Sequence, residues 1–229
     1  MKHYKKLFFD FDDTLLDFKA AEKVALPKVF ERYDFPLTED VKATYKTINR
    51  GLWDALERGE ISREQLLSRR FQETFAVYGL QVDGKEVDET YREFLKETIV
   101  LIEGADVVID QLSKDYELYI VTNGISDTQF ARLNASPLKG KFEEVFVSEQ
   151  TGYQKPQIEF FNYVFDRVGP YELDECLLIG DSFSADIVGG HNAKMDTCWL
   201  NPTGSKPTSA IQPTYTIQKL GQLVEILYA

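Results

Sequence analysis

The stretch Lys5–Phe18, KKLFFDFDDTLLDF, decides how the rest of the chain is read. Leu7, Phe8 and Phe9 form a short apolar, aromatic run of the kind that builds a buried strand. Three carboxylates then arrive within four positions: Asp10, Asp12 and Asp13. Like charges crowded at the end of a buried strand repel one another, so this strand end requires a cation.

Working outward, apolar runs of the same length recur at Leu118–Val121, Val145–Val147, Cys176–Ile179 and Thr197–Leu200, with a weaker sixth at Tyr215–Ile217. Helix-length segments separate them, with apolar residues three and four apart around Ile109–Leu112 and over Ile158–Phe165. That alternation predicts an α/β fold, a parallel sheet with helices on both faces. The interval from 16 to 102 differs. It is rich in Lys, Glu, Arg and Leu, holds no strand-like run, and carries helical spacing in four stretches, among them VKATYKTINRGLWDALERG (41–59) and SREQLLSRRFQETFAVYG (62–79). Ser62 before Leu66 reads as an N-cap, and Gly59 and Gly79 as helix ends. The expected organisation is therefore a core of 1–15 and 103–229 interrupted by an all-helical insert. NPTGSKPTSAIQP (201–213) reads as a surface loop.

Composition narrows the function. With 229 residues, 43% of them hydrophobic, the chain can bury a sizeable core. A formal net charge of -12 argues against binding a nucleic acid polymer, which needs clustered Lys and Arg. Cys176 and Cys198 sit in apolar runs without metal-type spacing and read as buried free thiols. Two histidines, His3 and His191, leave little material for a His-based metal site or triad. No apolar segment approaches the roughly 20 residues needed to span a bilayer, and no signal-peptide pattern precedes Asp10. The expectation is a cytoplasmic protein with no membrane partner.

In open α/β sheets, ligands bind at the carboxyl ends of strands. Four such ends here carry polar residues: Asp10-Phe11-Asp12-Asp13-Thr14, Thr122-Asn123-Gly124, a loop Gly152–Pro156 containing Lys155, and Gly180-Asp181-Ser182. They supply carboxylates, a hydroxyl, an amide and one lysine. Oxygen-only donors suit Mg²⁺, which favours phosphate as a further ligand. Asp10 and Asp12 lie two apart in an extended segment and can face one ligand, while Asp13 reads as a turn residue.

DxDxT at Asp10, TN at Thr122, KP at Lys155 and GDxxxxD at Asp181–Asp186, in that order, resemble the haloacid dehalogenase (HAD) superfamily of aspartyl-phosphate enzymes, with the insert resembling its C1-type helical cap. The resemblance implies an Mg²⁺-dependent phosphatase with a HAD-like, Rossmann-type sheet. Asp10 would be the nucleophile and Asp12 the acid–base. Asp10, the backbone carbonyl of Asp12, and Asp181 would hold the metal. Asp186 would bind it through water or orient Lys155. Thr122 and Asn123 would donate hydrogen bonds to the phosphoryl group. Dehalogenase members lack the second acid that Asp12 supplies. INRGLWDALERGEISREQLLSRRFQE (48–73), SEQTGYQKPQIEFFNYVF (148–165) and GGHNAKMDTCWLNP (189–202) further resemble the YjjG/YfnB-type subgroup, which implies a 5′-nucleotidase acting on pyrimidine nucleoside monophosphates. Asn49, Trp53 and Arg70 are the insert's candidates for contact with the nucleoside. Packing in the helix core is the competing reading for Trp53, and a surface ion pair for Arg70. The alternatives are a phosphatase or phosphomutase on sugar phosphates, and a phospho-aspartate receiver or binding module. An insert of this length argues against the receiver.

Overall fold

The computed structural model describes residues 3–229. Six strands form one parallel sheet: β1 (Lys6–Phe9), β2 (Glu117–Thr122), β3 (Glu144–Val147), β4 (Cys176–Gly180), β5 (Asp196–Leu200) and β6 (Tyr215–Ile217). All five apolar runs and the weaker sixth are strands. Their spatial order is β3-β2-β1-β4-β5-β6. The chain builds outward from β1 through β2 to β3, then returns to lay β4 on the other side of β1. Strand order reverses there, and such a switch point, at the carboxyl ends of β1 and β4, is where open α/β sheets bind ligands.

Alternation along the strands sends side chains to two cores. Leu7, Phe9, Leu118, Ile120, Leu177 and Ile179 pack on one face with Val108, Ile109 and Leu112 of α5 (Ala105–Leu112). Phe8, Tyr119, Val121, Cys176 and Leu178 pack on the other with Phe160, Phe161 and Val164 of an Ile158–Phe165 helix. Both faces are covered, so these strands read as continuous apolar runs with no polar alternation.

The chain divides into two compact units, Met1–Phe18 with Ile99–Ala229, and Lys19–Thr98. The second is all helical: α1 (Phe18–Arg32), α2 (Glu39–Glu57), α3 (Arg63–Val77) and α4 (Gly84–Lys96). Ser62 caps α3 through a full capping box, its hydroxyl accepting from Gln65 N while the Gln65 side chain accepts from Ser62 N. Gly59 and Gly79 end α2 and α3 at φ 73° and 77°, where a Cβ would be strained. Tyr45 stacks on Phe71 and meets Tyr91 edge-on, joining α2, α3 and α4.

This unit is shorter at both ends than the expected 16–102. Leu16 bridges Leu101, Asp17 N donates to Val100 O, and Ile102 N donates to Leu15 O. The two passages pair with each other, and buried Leu16 joins the sheet's core, so both segments belong to the first unit. Long-range pairing of this kind leaves no local pattern in the sequence.

Candidate active site

Asp10 follows the last residue of β1. Its N–H donates to Ile179 O, which ties it to β4. Its carboxylate receives the Lys155 ammonium, Nζ to Oδ1 2.8 Å, and the same Nζ lies 2.6 Å from Asp186 Oδ1. Lys155 and Asp186 are fully buried. Lys155 stands in the loop after α7 (Ser148–Thr151). Asn123 clamps that loop: its Nδ2 donates to Lys155 O at 2.9 Å, and its Oδ1 accepts from Lys155 N at 2.9 Å. The Asn123 side chain is committed at both ends to the backbone that carries the lysine. A two-pronged amide–backbone contact needs the β2 and α7 loops side by side, which only the sheet order provides.

Asp181 and Asp186 come from the turn after β4. Ser182 caps a π-type turn, Phe183–Ile187, that brings Asp186 back so that its Oδ2 accepts from Ser182 N at 3.0 Å. Gly180 is required for this return, because a Cβ there would stand 2.1 Å from Asp186 Oδ2. Asp181 is anchored through its backbone: its N donates to Thr14 Oγ1 at 3.1 Å and its carbonyl accepts from Trp199 Nε1 at 2.9 Å. One oxygen each of Asp10, Asp181 and Asp186 fall within 4.8 Å of one another. Of the two roles expected for Asp186, the Lys155 contact is direct, and its place in this cluster keeps the metal role open.

Three carboxylates and one ammonium leave this cluster net negative. Burial, then the neighbouring Asp186 charge, push Asp10 up to about 7 against the pull of Lys155. Lys155 itself is held above its ordinary value, because Asp10 and Asp186 outweigh the penalty of burial. A hard divalent cation fits this arrangement. Asp10, Asp181 and Asp186 offer oxygen donors only, close enough to share one ion, which would supply the missing positive charge.

Asp12 is gripped by two residues that the sequence did not single out. Gln129 Nε2 donates to its Oδ2 at 2.7 Å, and Arg132 Nη1 pairs with its Oδ1. Both stand on α6 (Ser126–Asn134), which starts just beyond Thr122-Asn123-Gly124. The available signal was two long polar side chains three apart on the helix after TNG, a pattern that solvent-facing helices share. Thr122 Oγ1 accepts from Gly124 N and Gln129 Nε2, so its own proton is left to donate. Asp13 sits at φ 60° with its N–H on Leu16 O, the turn role expected of it.

In the helical unit, Asn49 and Trp53 lie on α2 and Arg70 on α3. Trp53 packs, half-buried, beside Leu52, Leu56 and Leu66, in keeping with helix packing. The surface ion pair considered for Arg70 is overturned: its partner is Asp88 and the pair is buried, with Nε to Oδ1 2.6 Å. Asp88 also receives Arg92 at 2.8 Å. The Arg70 guanidinium lies over the Tyr91 ring and reaches Asn49 Oδ1 at 3.4 Å. Both thiols are buried, and burial pushes each up to about 12, which leaves them inert.

The haloacid dehalogenase-like hydrolase family model matches residues 7–200, which include every residue of this cluster. The chain belongs to that family. Its relatives include the HAD-hydrolase YfnB of Bacillus subtilis, 49% identical over 99% of this chain and 97% of that one. The pyrimidine 5′-nucleotidase PynA of Streptococcus pneumoniae is 38% identical over 98% and 95%, and the pyrimidine 5′-nucleotidase YjjG of Escherichia coli 31% identical over 96% of each. A crystal structure of YfnB bound to magnesium superposes over 100% of both chains with a TM-score of 0.95. An L-2-haloacid dehalogenase of Xanthobacter autotrophicus shares the fold at 15% identity and a TM-score of 0.79. The protein is thus a HAD hydrolase, and among the described residues no helix is long and apolar enough to cross a membrane.

Proposed function

We propose that the protein is an Mg²⁺-dependent phosphomonoesterase working through an aspartyl-phosphate on Asp10, and that its substrates are pyrimidine nucleoside 5′-monophosphates. The observation that carries the chemistry is the buried Asp10–Lys155–Asp186 cluster with Asp181 beside it and Asp12 two residues on. The substrate class draws on PynA and YjjG, both named pyrimidine 5′-nucleotidases and both related over nearly the whole chain.

Asp10 attacks phosphorus, and the bond to the leaving oxygen breaks as Asp12 gives that oxygen its proton. Water then yields a proton to Asp12 and attacks phosphorus, which releases phosphate and restores the Asp10 carboxylate. Lys155 offsets charge on Asp10, and the Thr122 hydroxyl donates to a phosphoryl oxygen. Asn123 acts by fixing the Lys155 backbone. Asp10, Asp181, Asp186 and the Asp12 carbonyl would hold Mg²⁺, which screens the repulsion between carboxylate and phosphate. The two buried free thiols suit a reducing cytoplasm, where we place this enzyme of small phosphorylated metabolites.

EDTA is expected to abolish turnover of p-nitrophenyl phosphate and Mg²⁺ to restore it. Ca²⁺ should fail, because its looser shell misplaces the nucleophile. Full activity after thorough chelation would remove the metal.

The cluster above sees only phosphate and the reacting oxygens, so discrimination must come from elsewhere. The resemblance to C1-capped members assigns that role to the helical unit, where Trp53 would offer a stacking face and Asn49 hydrogen-bonding groups, four apart on one helix face. Arg70, committed to Asp88, would act by orienting Asn49. Pyrimidine 5′-monophosphates should therefore outcompete hexose phosphates. Trp53→Ala and Asn49→Ala should lower nucleotide kcat/KM about tenfold, a contact's worth of 1–2 kcal/mol, and p-nitrophenyl phosphate turnover far less. A panel won by hexose phosphates would leave a phosphatase and sink the nucleotidase.

A further inference from the structure

We propose that Gln129 and Arg132 are positioning residues that hold the Asp12 carboxylate in the one orientation its two proton transfers need. The proposal rests on the phosphatase reading above and assigns two residues that reading does not require.

The two side chains stand three apart on α6, on one helix face, and both are buried, at 2% and 0% exposure. Each takes a different oxygen of Asp12: the Gln129 amide takes Oδ2 and the Arg132 guanidinium Oδ1. Arg132 Nη1 also reaches Gln129 Oε1 at 3.3 Å, which closes a three-membered ring of contacts around a carboxylate that is itself 29% exposed. The same Gln129 Nε2 holds Thr122 Oγ1 at 2.9 Å. One amide thus fixes the acid–base group and the phosphoryl-donating hydroxyl relative to each other. Each Asp12 oxygen keeps a lone pair for the proton it must carry.

The way Arg132 is buried separates this role from space-filling. Its guanidinium lies over the rings of Phe11 and Phe18, 5.8 Å from each centroid. Its Nε and Nη2 are buried without a hydrogen-bond partner among the described residues. Unpaired buried donors are unfavourable, and an apolar side chain would fill the same volume without them. What the arginine provides that an apolar residue cannot is the grip on Asp12.

The test separates the two chemical steps in the Mg²⁺-loaded enzyme. p-Nitrophenolate departs without a proton, whereas a nucleoside 5′-oxygen needs one from Asp12. Gln129→Met keeps the bulk beside Gly124 and loses the amide. In single turnover it should slow nucleotide cleavage about 10²-fold and release of p-nitrophenolate far less, the smaller loss coming from the freed Thr122 hydroxyl, and then slow hydrolysis of the phosphoenzyme for both substrates. Asp12→Asn should show the same split more strongly. Arg132→Lys, which keeps a cation for Oδ1, should retain more nucleotide cleavage than Arg132→Met. If Arg132→Met does not fold, Gln129→Met still decides. Equal loss on both substrates, or no loss in Gln129→Met, overturns the proposal while wild-type and Asp12→Asn behaviour keep the phosphatase reading intact. A wild-type enzyme without phosphatase activity, or an Asp12→Asn without the split, overturns that reading and this one with it.

Discussion

Asp10→Asn is expected to abolish turnover, by at least about 10⁴-fold, the scale on which enzymes lose activity when a covalent nucleophile is removed. An amide oxygen is a poor nucleophile and cannot form the acyl-phosphate. The folded chain should survive the change. Asp10 Oδ1 is the atom that meets Lys155, and an amide oxygen still accepts that hydrogen bond. Removing one carboxylate also relieves repulsion against Asp186, so the metal-free variant should melt no lower than wild type. Acid-quenched wild type should carry a phosphoryl adduct that the variant lacks, as mass spectrometry of the Asp10 peptide would show. Near-normal activity in Asp10→Asn would reject the nucleophile assignment.

Lys155→Met should lower both rate and stability. The ammonium lies 2.8 Å from Asp10 and 2.6 Å from Asp186, and its loss leaves two buried carboxylates facing each other. Breaking a buried pair by removing one partner costs about 3–5 kcal/mol, and phosphoryl transfer without the cation should slow about 10²–10³-fold.

The stability loss depends on pH. Asp10 stands near 7 in the folded chain against an ordinary 3.8. Between those values the folded state binds more protons than the unfolded one, so metal-free stability falls as pH rises from about 4 to about 7. Lys155 is raised above 10.5, so its contribution holds across that window and is lost only at strongly alkaline pH. Without Lys155 the pull lowering Asp10 is gone, and the window extends upward. Unfolding in EDTA should therefore show a larger deficit for Lys155→Met at pH 8 than at pH 5. Mg²⁺ should recover part of it by restoring positive charge. A deficit independent of both pH and Mg²⁺ would mean that the lysine contributes packing and not charge.

How far these features could be read in advance depended on the distance over which each acts. Strands β1, β2, β4 and β5 were legible because burial on both faces writes a continuous apolar run, while β6, half-exposed at the sheet edge, left only a weak one. The α3 start was legible because a capping box is a three-residue signal, Ser62 to Gln65. Asp13 was legible as a turn because its contact partner is Leu16, three residues on. The four polar strand ends were legible as one site because a parallel sheet gathers strand ends at one edge, whatever the side chains do there. Arg70 was not legible as buried, because its partner Asp88 lies on another helix and mutual neutralisation is what permits the burial.

The sequence alone therefore determined the fold class and the helical insert, and its resemblance to the HAD superfamily pointed to Asp10, Asp12, Lys155 and Asp181 as the candidate reacting groups. The fold class and the insert follow from periodicities, caps and residue types that act within a few positions. Only the tertiary structure decided which groups serve those four residues. It tied the Asn123 side chain to the Lys155 backbone, placed Asp186 on Lys155, and put Gln129 and Arg132 on Asp12. Lys155 meets Asp10 across 145 residues and Arg132 meets Asp12 across 120. Contacts at that separation are set by strand order and the return from β3 to β4, and a hydrogen bond of about 3 Å leaves no periodic trace in the chain that makes it.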